Sequence, residues 1–295
     1  MLGRLRMSIR QCREAYEQLA SVAFLPITYS IRYDKKLSDK FNGKPSFDVT
    51  ALESAIRKVI AAHSKPGVQP DSMMLKDATH GVPCKVFVTC TNERITETEL
   101  LRSYRNRRRA ESWYDECTLF QACRATSAAS TFFPPMTIQG DTYIDGGLLS
   151  NNPVHQVHQE ATDLWPNDEQ MIISIGTGES PKTAFKGNLK VLAEALTKIA
   201  TESHRTAEVF RARDGNKMSK AGLYYRFDVP NLGSVGLEEW KESSLVRGLT
   251  RDYVNSSATS EARQRCVEQL ANSMEGMTLP PMSSNFMQTQ TEDFS

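Results

Sequence analysis

Apolar side chains recur every three or four positions in several stretches of the chain, and this spacing predicts helices. The first helix begins at Ser8, which fits a capping box with Gln11, and the second begins at Thr50, which pairs in the same way with Glu53. The predicted helices cover residues 8–24, 50–63, 119–129, 154–164, 189–211 and, with a weaker pattern, 245–274.

Shorter apolar or alternating runs lie between these helices and predict strands at 84–90, 142–144, 171–175 and 223–229. The run 171–175 is almost entirely apolar, which is typical of a strand buried on both faces. Helices that alternate with strands indicate an α/β fold with a largely parallel central sheet. We predict one domain over residues 1–275. Residues 276–295 lack periodicity and are rich in polar residues, Pro and Met, so we predict a flexible tail there.

The motif with the most chemical content is Asp145-Gly146-Gly147, directly after the short run 142–144. Asp145 would end a strand, and two glycines would let the backbone pass close beside its carboxylate. Taken alone, however, Asp-Gly is also a common hairpin-turn signal, because both residues tolerate positive φ. The tripeptide by itself therefore leaves a catalytic carboxylate and a simple turn both open.

The neighbouring segments favour the catalytic interpretation. Asn151-Asn152-Pro153 fits an Asn cap followed by Pro at the start of helix 154–164. Upstream, residues 124–133 form a run of small side chains that begins with Arg124 and ends in two phenylalanines. Downstream, Gly176-Thr177-Gly178 leaves the strand predicted at 171–175. Four such segments in this order are more specific than any one of them.

With these segments the sequence resembles the patatin-like lipid acyl hydrolases, in particular fungal-type members. The resemblance extends over residues 1–104 and on to about Asp228. It implies a three-layer fold, and a Ser-Asp dyad in which a serine within G-x-S-x-G attacks the acyl carbonyl and Asp145 is the general base. It also implies an oxyanion hole from a Gly-rich loop, a phospholipid or other acyl-ester substrate, and no cofactor or metal.

Two parts of that machinery are missing from the sequence, which contains neither a G-x-S-x-G motif nor a Gly-rich loop before Met1. In the family, a sequence much like residues 1–5 follows the nucleophile turn. We therefore expect an N-terminally truncated domain that is inactive by itself and belongs to a longer protein, with unpaired strand edges where interior strands are lost. The alternative is a pseudoenzyme that binds lipid or a partner without catalysis.

Composition narrows the class of protein only modestly. The net charge of +1 gives no general attraction to nucleic acid, and we expect no nucleic-acid partner. No secretory pattern follows Met1 and no apolar run is long enough to span a bilayer, so we expect a cytoplasmic protein with peripheral membrane contact, although an upstream targeting segment stays open. The scattered cysteines indicate reduced thiols in the core.

Three further features have competing interpretations. A basic cluster around Tyr104 and Trp113 would suit lipid head groups or would simply be solvated; its members are Arg102, Arg105, Arg107, Arg108 and Arg109. His155 and His158 share a helix face, but a zinc site would need more ligands. Gly176-Thr177-Gly178 supports a third hypothesis, a nucleotide-binding domain, although it lacks the rest of a phosphate-binding motif.

Overall fold

The fold is mixed α/β, and the computed structural model describes residues 1–25, 47–77, 84–109, 116–129, 132–178, 203–232, 235 and 239–275. The helices in these ranges are α1 (Leu2–Leu5), α2 (Ile9–Ala23), α3 (Val49–His63), α4 (Leu119–Thr126), α5 (Gly147–Ser150), α6 (Val154–Leu164), α7 (Asn216–Lys220), α8 (Ser243–Asn255) and α9 (Ser257–Glu275). The strands are β1 (Phe87–Asn92), β2 (Glu97–Arg102), β3 (Met136–Ile138), β4 (Asp141–Asp145), β5 (Ile172–Ile175) and β6 (Tyr224–Phe227).

The larger sheet is antiparallel throughout its described strands, so the largely parallel central sheet predicted from the sequence is not confirmed. Its strand order is β2-β1-β4-β3. A four-residue turn joins β1 to β2, and Gln139 and Gly140 join β3 to β4 with φ of 49° and 91°. Connections this short can only reverse the chain, whereas parallel neighbours need a crossover of a dozen residues or more. Among the strands that the structure describes, β5 and β6 are the pair that runs in parallel.

One helix begins at the cap that the sequence predicts, and two others do not. Ser8 and Gln11 form the predicted capping box of α2. The second helix begins one residue earlier than predicted, because Asp48 rather than Thr50 is its cap and accepts the Thr50 N–H at 2.8 Å. Helix α6 has the predicted bounds, but Pro153 occupies its cap position without a side-chain hydrogen bond, so the Asn cap was wrong. The weak pattern at 245–274 is two helices, α8 and α9.

The main hydrophobic core lies between the antiparallel sheet and two helices. Helix α4 packs on β1, β3 and β4, and α3 packs on α4 and α2. Buried side chains of α3 meet those of α4 and the sheet, and an aromatic group closes one end of the core, with the Phe47 and Phe132 rings stacked 5.3 Å apart. The sheet is thereby held rigidly on its helical side.

The parallel pair has a much smaller core. Ile172, Tyr224 and Phe210 pack with Val154 of α6. In contrast, Ile173 and Ile175 of the same strand are 40% and 77% exposed. Strand β5 therefore carries the apolar sequence of an interior strand, but one of its faces is open to solvent.

Some predictions fall largely outside the described residues. Of the helix predicted at 189–211, residues 203–210 are helical and continue into a π-helical turn, Arg211–Gly215. The tail predicted at 276–295 lies outside these ranges. Across the described parts of the chain, no helix combines the length and apolar character that a bilayer crossing requires.

Candidate active site

Asp145 is the last residue of β4 and is fixed through its backbone. Its N–H donates to the carbonyl oxygen of Ala128 at 3.0 Å, and its own carbonyl oxygen accepts the Thr91 hydroxyl at 3.4 Å. It lies opposite Cys90 in the register between β4 and β1. The position of Asp145 is thus fixed from two sides, by the segment after α4 and by the middle of the sheet.

The two glycines after Asp145 are needed because a side chain would not fit there. Their backbone conformation is not the reason, since neither has positive φ. A Cβ at Gly146 would overlap the carbonyl oxygen and hydroxyl group of Thr89 on β1. A Cβ at Gly147 would lie 3.0 Å from Oδ1 of Asp145. The chain turns directly into α5 at this point, so the hairpin interpretation of Asp-Gly is wrong, and the only residues of this region in a tight hairpin turn are Gln139 and Gly140.

The two carboxylate oxygens of Asp145 differ in their hydrogen bonding. The Gly147 N–H donates to Oδ1 at 2.6 Å. No hydrogen bond or ion pair reaches Oδ2 from the residues described in the structure. Burial raises the pKa of Asp145 to about 6, and the Gly147 hydrogen bond partly opposes that rise. The group is therefore ionised at neutral pH, yet it is a stronger base than an ordinary aspartate.

The Asp145 carboxylate borders an open depression of about 290 Å³. Its lining combines apolar side chains of β1 with hydroxyl and amide groups; the members are Phe87, Val88, Thr89, Thr126, Asp145, Gly147, Ser150, Asn151 and Pro153. Beside it, Leu148 and Leu149 on α5 are 46% and 42% exposed. The Asp145 carboxylate thus borders a depression of mixed polar and apolar lining, next to two exposed leucines.

A second depression, of about 170 Å³, lies between the start of α6 and strand β5. It shares Asn151 and Pro153 with the first one, so the two are separated only by the segment that precedes α6. Ile173 and Ile175, the exposed isoleucines of β5, belong to its lining. The space around the carboxylate therefore continues toward the open face of the parallel pair.

The turn Gly176-Thr177-Gly178 closes on a carboxylate of the chain itself. The Gly178 N–H donates to Oδ1 of Asp228 at 2.8 Å, and a Cβ at Gly176 would overlap that carboxylate. Asp228 is also paired with Arg226, which donates to the Ser174 hydroxyl at 2.8 Å. The amide that a phosphate would need is already used, so this geometry speaks against the nucleotide hypothesis and favours a tight turn after a strand.

The basic cluster divides into a buried member and exposed ones. Arg102 is buried and forms two hydrogen bonds with Glu160 of α6, at 2.7 and 2.8 Å, so it is neither a head-group ligand nor a solvated charge. Tyr104 and Asn106 also donate to Glu160, at 2.7 and 3.2 Å. Arg105, Arg107, Arg108 and Arg109 are exposed, and Trp113 lies outside the described residues. The cluster thus anchors the helix that follows the Asp145 motif.

His155 and His158 lie against an aromatic ring and not at a metal centre. Their imidazoles meet the Phe210 ring edge-on, with centroids 5.3 and 5.5 Å away. Nδ1 of His158 is 4.0 Å from Oδ2 of Asp214. In the described part of the chain no three His, Cys, Asp or Glu side chains form a group able to hold a metal ion.

The residues that position α6 and the segment 145–150, which we call the Asp145 turn, make contacts that sequence analysis did not identify. Thr91, Thr98 and Ser150 act through contacts with residues about 50 positions away, and Glu160 meets Arg102 across 58 positions. Glu160 is a charged residue at a buried position of α6, and a carboxylate among the inward positions of a helix is a local signal of such a partner.

Comparison with known proteins gives a consistent assignment. The family model described as "Patatin-like phospholipase" matches residues 3–158. Calcium-independent phospholipase A2-gamma of mouse is 26% identical over 256 residues, and that of human is 27% identical over the same length; each match covers 83% of this chain and 30% of the relative. The 85/88 kDa calcium-independent phospholipase A2 of rat is 28% identical over 183 residues, which is 52% of this chain and 22% of the relative. The chain thus spans less than a third of the length of these relatives.

Proposed function

The chain belongs to the patatin-like phospholipase family, and we propose that Asp145 is the general base with which its domain hydrolyses acyl esters of phospholipids. The proposal rests on the environment of the Asp145 carboxylate. Asp145 is fixed through its backbone, has a raised pKa and borders an open depression, while Oδ2 has no hydrogen-bond partner among the described residues. Lipid hydrolysis at the level of the family is supported by the names of the relatives.

The proposed reaction needs two proton transfers in each half. Oδ2 of Asp145 takes the proton of a serine hydroxyl while the serine oxygen forms a bond with the acyl carbonyl carbon. When the tetrahedral intermediate collapses, the ester C–O bond breaks and Asp145 returns the proton to the departing alcohol. Asp145 then takes a proton from water while the water oxygen bonds to the acyl carbon of the acyl-serine. The bond between that carbon and the serine oxygen breaks, Asp145 returns the proton to the serine oxygen, and the fatty acid is released. No cofactor enters these steps.

The nucleophile of this reaction is proposed to lie outside these 295 residues. The sequence contains no G-x-S-x-G motif. Ser150 does line the depression, but its hydroxyl is engaged by Thr98 at 2.8 Å and by Gln156 at 3.0 Å. By itself the chain is therefore expected to be inactive.

The substrate is proposed to reach Asp145 from a membrane surface. Leu148 and Leu149 are exposed beside the depression, where they can contact acyl chains. We place the protein in the cytoplasm, in peripheral contact with membranes.

Two assays test this proposal. Phospholipid hydrolysis by the 295-residue chain should not exceed background, and turnover abolished by Asp145→Ala would contradict a nucleophile outside the chain. If genomic sequence in frame upstream of Met1 encodes G-x-S-x-G, the longer chain should hydrolyse phospholipid. In that chain Asp145→Asn should lower kcat about a thousandfold or more. Asp141→Asn, on the same strand, is the matched control and should stay within a few fold of wild type.

A second function, a non-catalytic module that binds lipid or a partner, is favoured by the absence of G-x-S-x-G combined with an open depression. It requires the 295-residue chain to be monomeric, to unfold cooperatively and to bind phospholipid vesicles without hydrolysing them. Aggregation of the purified chain would count against it.

A further inference from the structure

Two threonines that face each other across β1 and β2 contact the two ends of the Asp145 turn, which covers residues 145–150. Thr91 and Thr98 are direct partners in the β1–β2 register, so their side chains lie on the same face of the sheet. The Thr91 hydroxyl donates to the carbonyl oxygen of Asp145 at 3.4 Å. The Thr98 hydroxyl is 2.8 Å from that of Ser150, the last residue of α5.

The segment between these two contacts is a single tight turn. The N–H groups of Leu149 and Ser150 donate to the carbonyl oxygen of Gly146, at 3.2 and 2.7 Å. Inside the turn the Gly147 N–H meets Oδ1 of Asp145 at 2.6 Å. A shift of Ser150 is therefore transmitted through α5 to the donor that holds the carboxylate.

Ser150, at the end of the turn, has a second contact besides Thr98, and it comes from α6. Gln156 of α6 donates from Nε2 to the Ser150 hydroxyl oxygen at 3.0 Å. Ser150 is buried, and the nearby Gly146 packs without space against Thr89. The turn thus has few ways to relax as long as the hydroxyl contacts are present.

We infer that Thr98, acting through Ser150, is a positioning residue that keeps the Gly147 N–H on Oδ1 of Asp145 and so leaves Oδ2 as the oxygen that takes the substrate proton. Thr91 fixes the other end of the same turn. This inference deepens the proposed function and rests on it for the meaning of Oδ2, but the geometry it describes does not depend on activity.

The neighbours of Asp145 on the packed elements add no competing charge. Thr89 and Cys90 face it from β1 and Thr126 faces it from α4. Burial raises the pKa of the Cys90 thiol, so this group stays neutral. A change in the titration of Asp145 therefore reports on burial and on the Gly147 hydrogen bond.

The test is the titration of the Asp145 carboxyl carbon by ¹³C NMR in the full 295-residue chain, with the signal assigned by Asp145→Asn. Thr98→Val keeps the shape of the side chain and removes the hydroxyl. It should raise the pKa of Asp145 by about half a unit or more, because a hydrogen bond to the charged form is weakened. Thr98→Ser keeps the hydroxyl and should titrate as wild type.

A second pair of variants covers the case in which Thr98→Val does not fold. Gln156→Leu removes the other contact to Ser150 and should shift the pKa in the same direction, whereas Gln159→Leu, an exposed position on the same helix, should not. Folded Thr98→Val with an unchanged titration, or Gln156→Leu that matches Gln159→Leu, would overturn the inference. Because the titration needs no serine and no lipid, a longer chain that failed to hydrolyse phospholipid would contradict the proposed function and leave this result intact.

Discussion

The two sheets of this chain differ in how completely they are covered. The antiparallel sheet has helices α3 and α4 over one face and a continuous core beneath it, and it carries Asp145. The parallel pair has a small core around Phe210, and Ile175 on β5 is 77% exposed. Asp145 thus lies on the better covered sheet, and the second depression borders β5 of the less covered one.

The largest expected effect tests the anchor between the antiparallel sheet and α6. Glu160→Ala leaves Arg102 buried without its partner and should lower the free energy of unfolding by about 3–5 kcal/mol in urea titrations. Glu261→Ala removes an exposed pair with Arg265 and should cost less than about 1 kcal/mol. Equal losses would show that Glu160 anchors nothing.

The anchor also has a pH signature. Burial alone would raise the pKa of Glu160, but hydrogen bonds from Arg102, Tyr104 and Asn106 outweigh it and hold the pKa below its ordinary value. The ion pair therefore stabilises the fold above pH 4.5, and this contribution is lost as the pH falls through the lowered pKa. Glu160→Gln should lose most of that acid sensitivity.

The next effect contrasts two isoleucines of one strand. Ile172 is 5% exposed, so Ile172→Ala should lower the free energy of unfolding by about 2–4 kcal/mol. Ile175→Ala should cost less than about 0.5 kcal/mol, because its side chain already lies in solvent. A large cost at Ile175 would mean that β5 is covered in solution, and the contrast between the two sheets would then fail.

A smaller loss is expected where the turn approaches β1. Gly146→Ala forces a methyl group into Thr89 and should cost about 2 kcal/mol, measured by thermal or urea unfolding. Gly248→Ala is the matched control, since the space around this position of α8 is open, and it should stabilise the chain by up to about 1 kcal/mol. Tolerance of alanine at Gly146 would contradict the close approach.

The smallest effect is a gain in stability at the carboxylate itself. The pKa of Asp145 is raised, so its charge opposes folding: the stability present below pH 3.8 is lost as the pH rises through about 6. Asp145→Asn keeps an Oδ1 acceptor for the Gly147 N–H. It should raise the free energy of unfolding by about 1–2 kcal/mol at pH 8. The gain should vanish near pH 3.5. Asp141→Asn should show no such gain, and a gain that is constant with pH would rule out the charge as its cause.

Local signals in the sequence were enough to locate the longer helices with described ends and the motif, but not the short helices α1, α5 and α7. Caps such as Ser8 with Gln11 depend on residues three positions apart, and Asp145 was identified from its glycines and the segments around it. The first strand was displaced, from 84–90 to Phe87–Asn92, because its far end is set by the turn into β2. The antiparallel order was missed because the alternation of helices and strands does not specify which strands become neighbours.

The contacts that hold the carboxylate were beyond any local pattern. Nothing in the local sequence distinguishes Thr91 and Thr98 from other strand residues. Their role depends on the strand register, which pairs them with each other next to the Asp145 turn. The raised pKa of Asp145 follows from burial, which only the packed structure determines. The sequence could therefore indicate which residue is the candidate base, but not how that residue is held or which of its oxygens accepts the Gly147 N–H.

The most direct test of the account is the pKa of Asp145 in the wild-type chain, measured by ¹³C NMR of its carboxyl carbon between pH 3 and 8. The account predicts a midpoint at about 6, which is the value of a buried carboxylate suited to act as a base near neutrality. A midpoint near the ordinary 3.8 would mean that the carboxylate is solvated, and it would contradict the claim that this fold prepares Asp145 for catalysis.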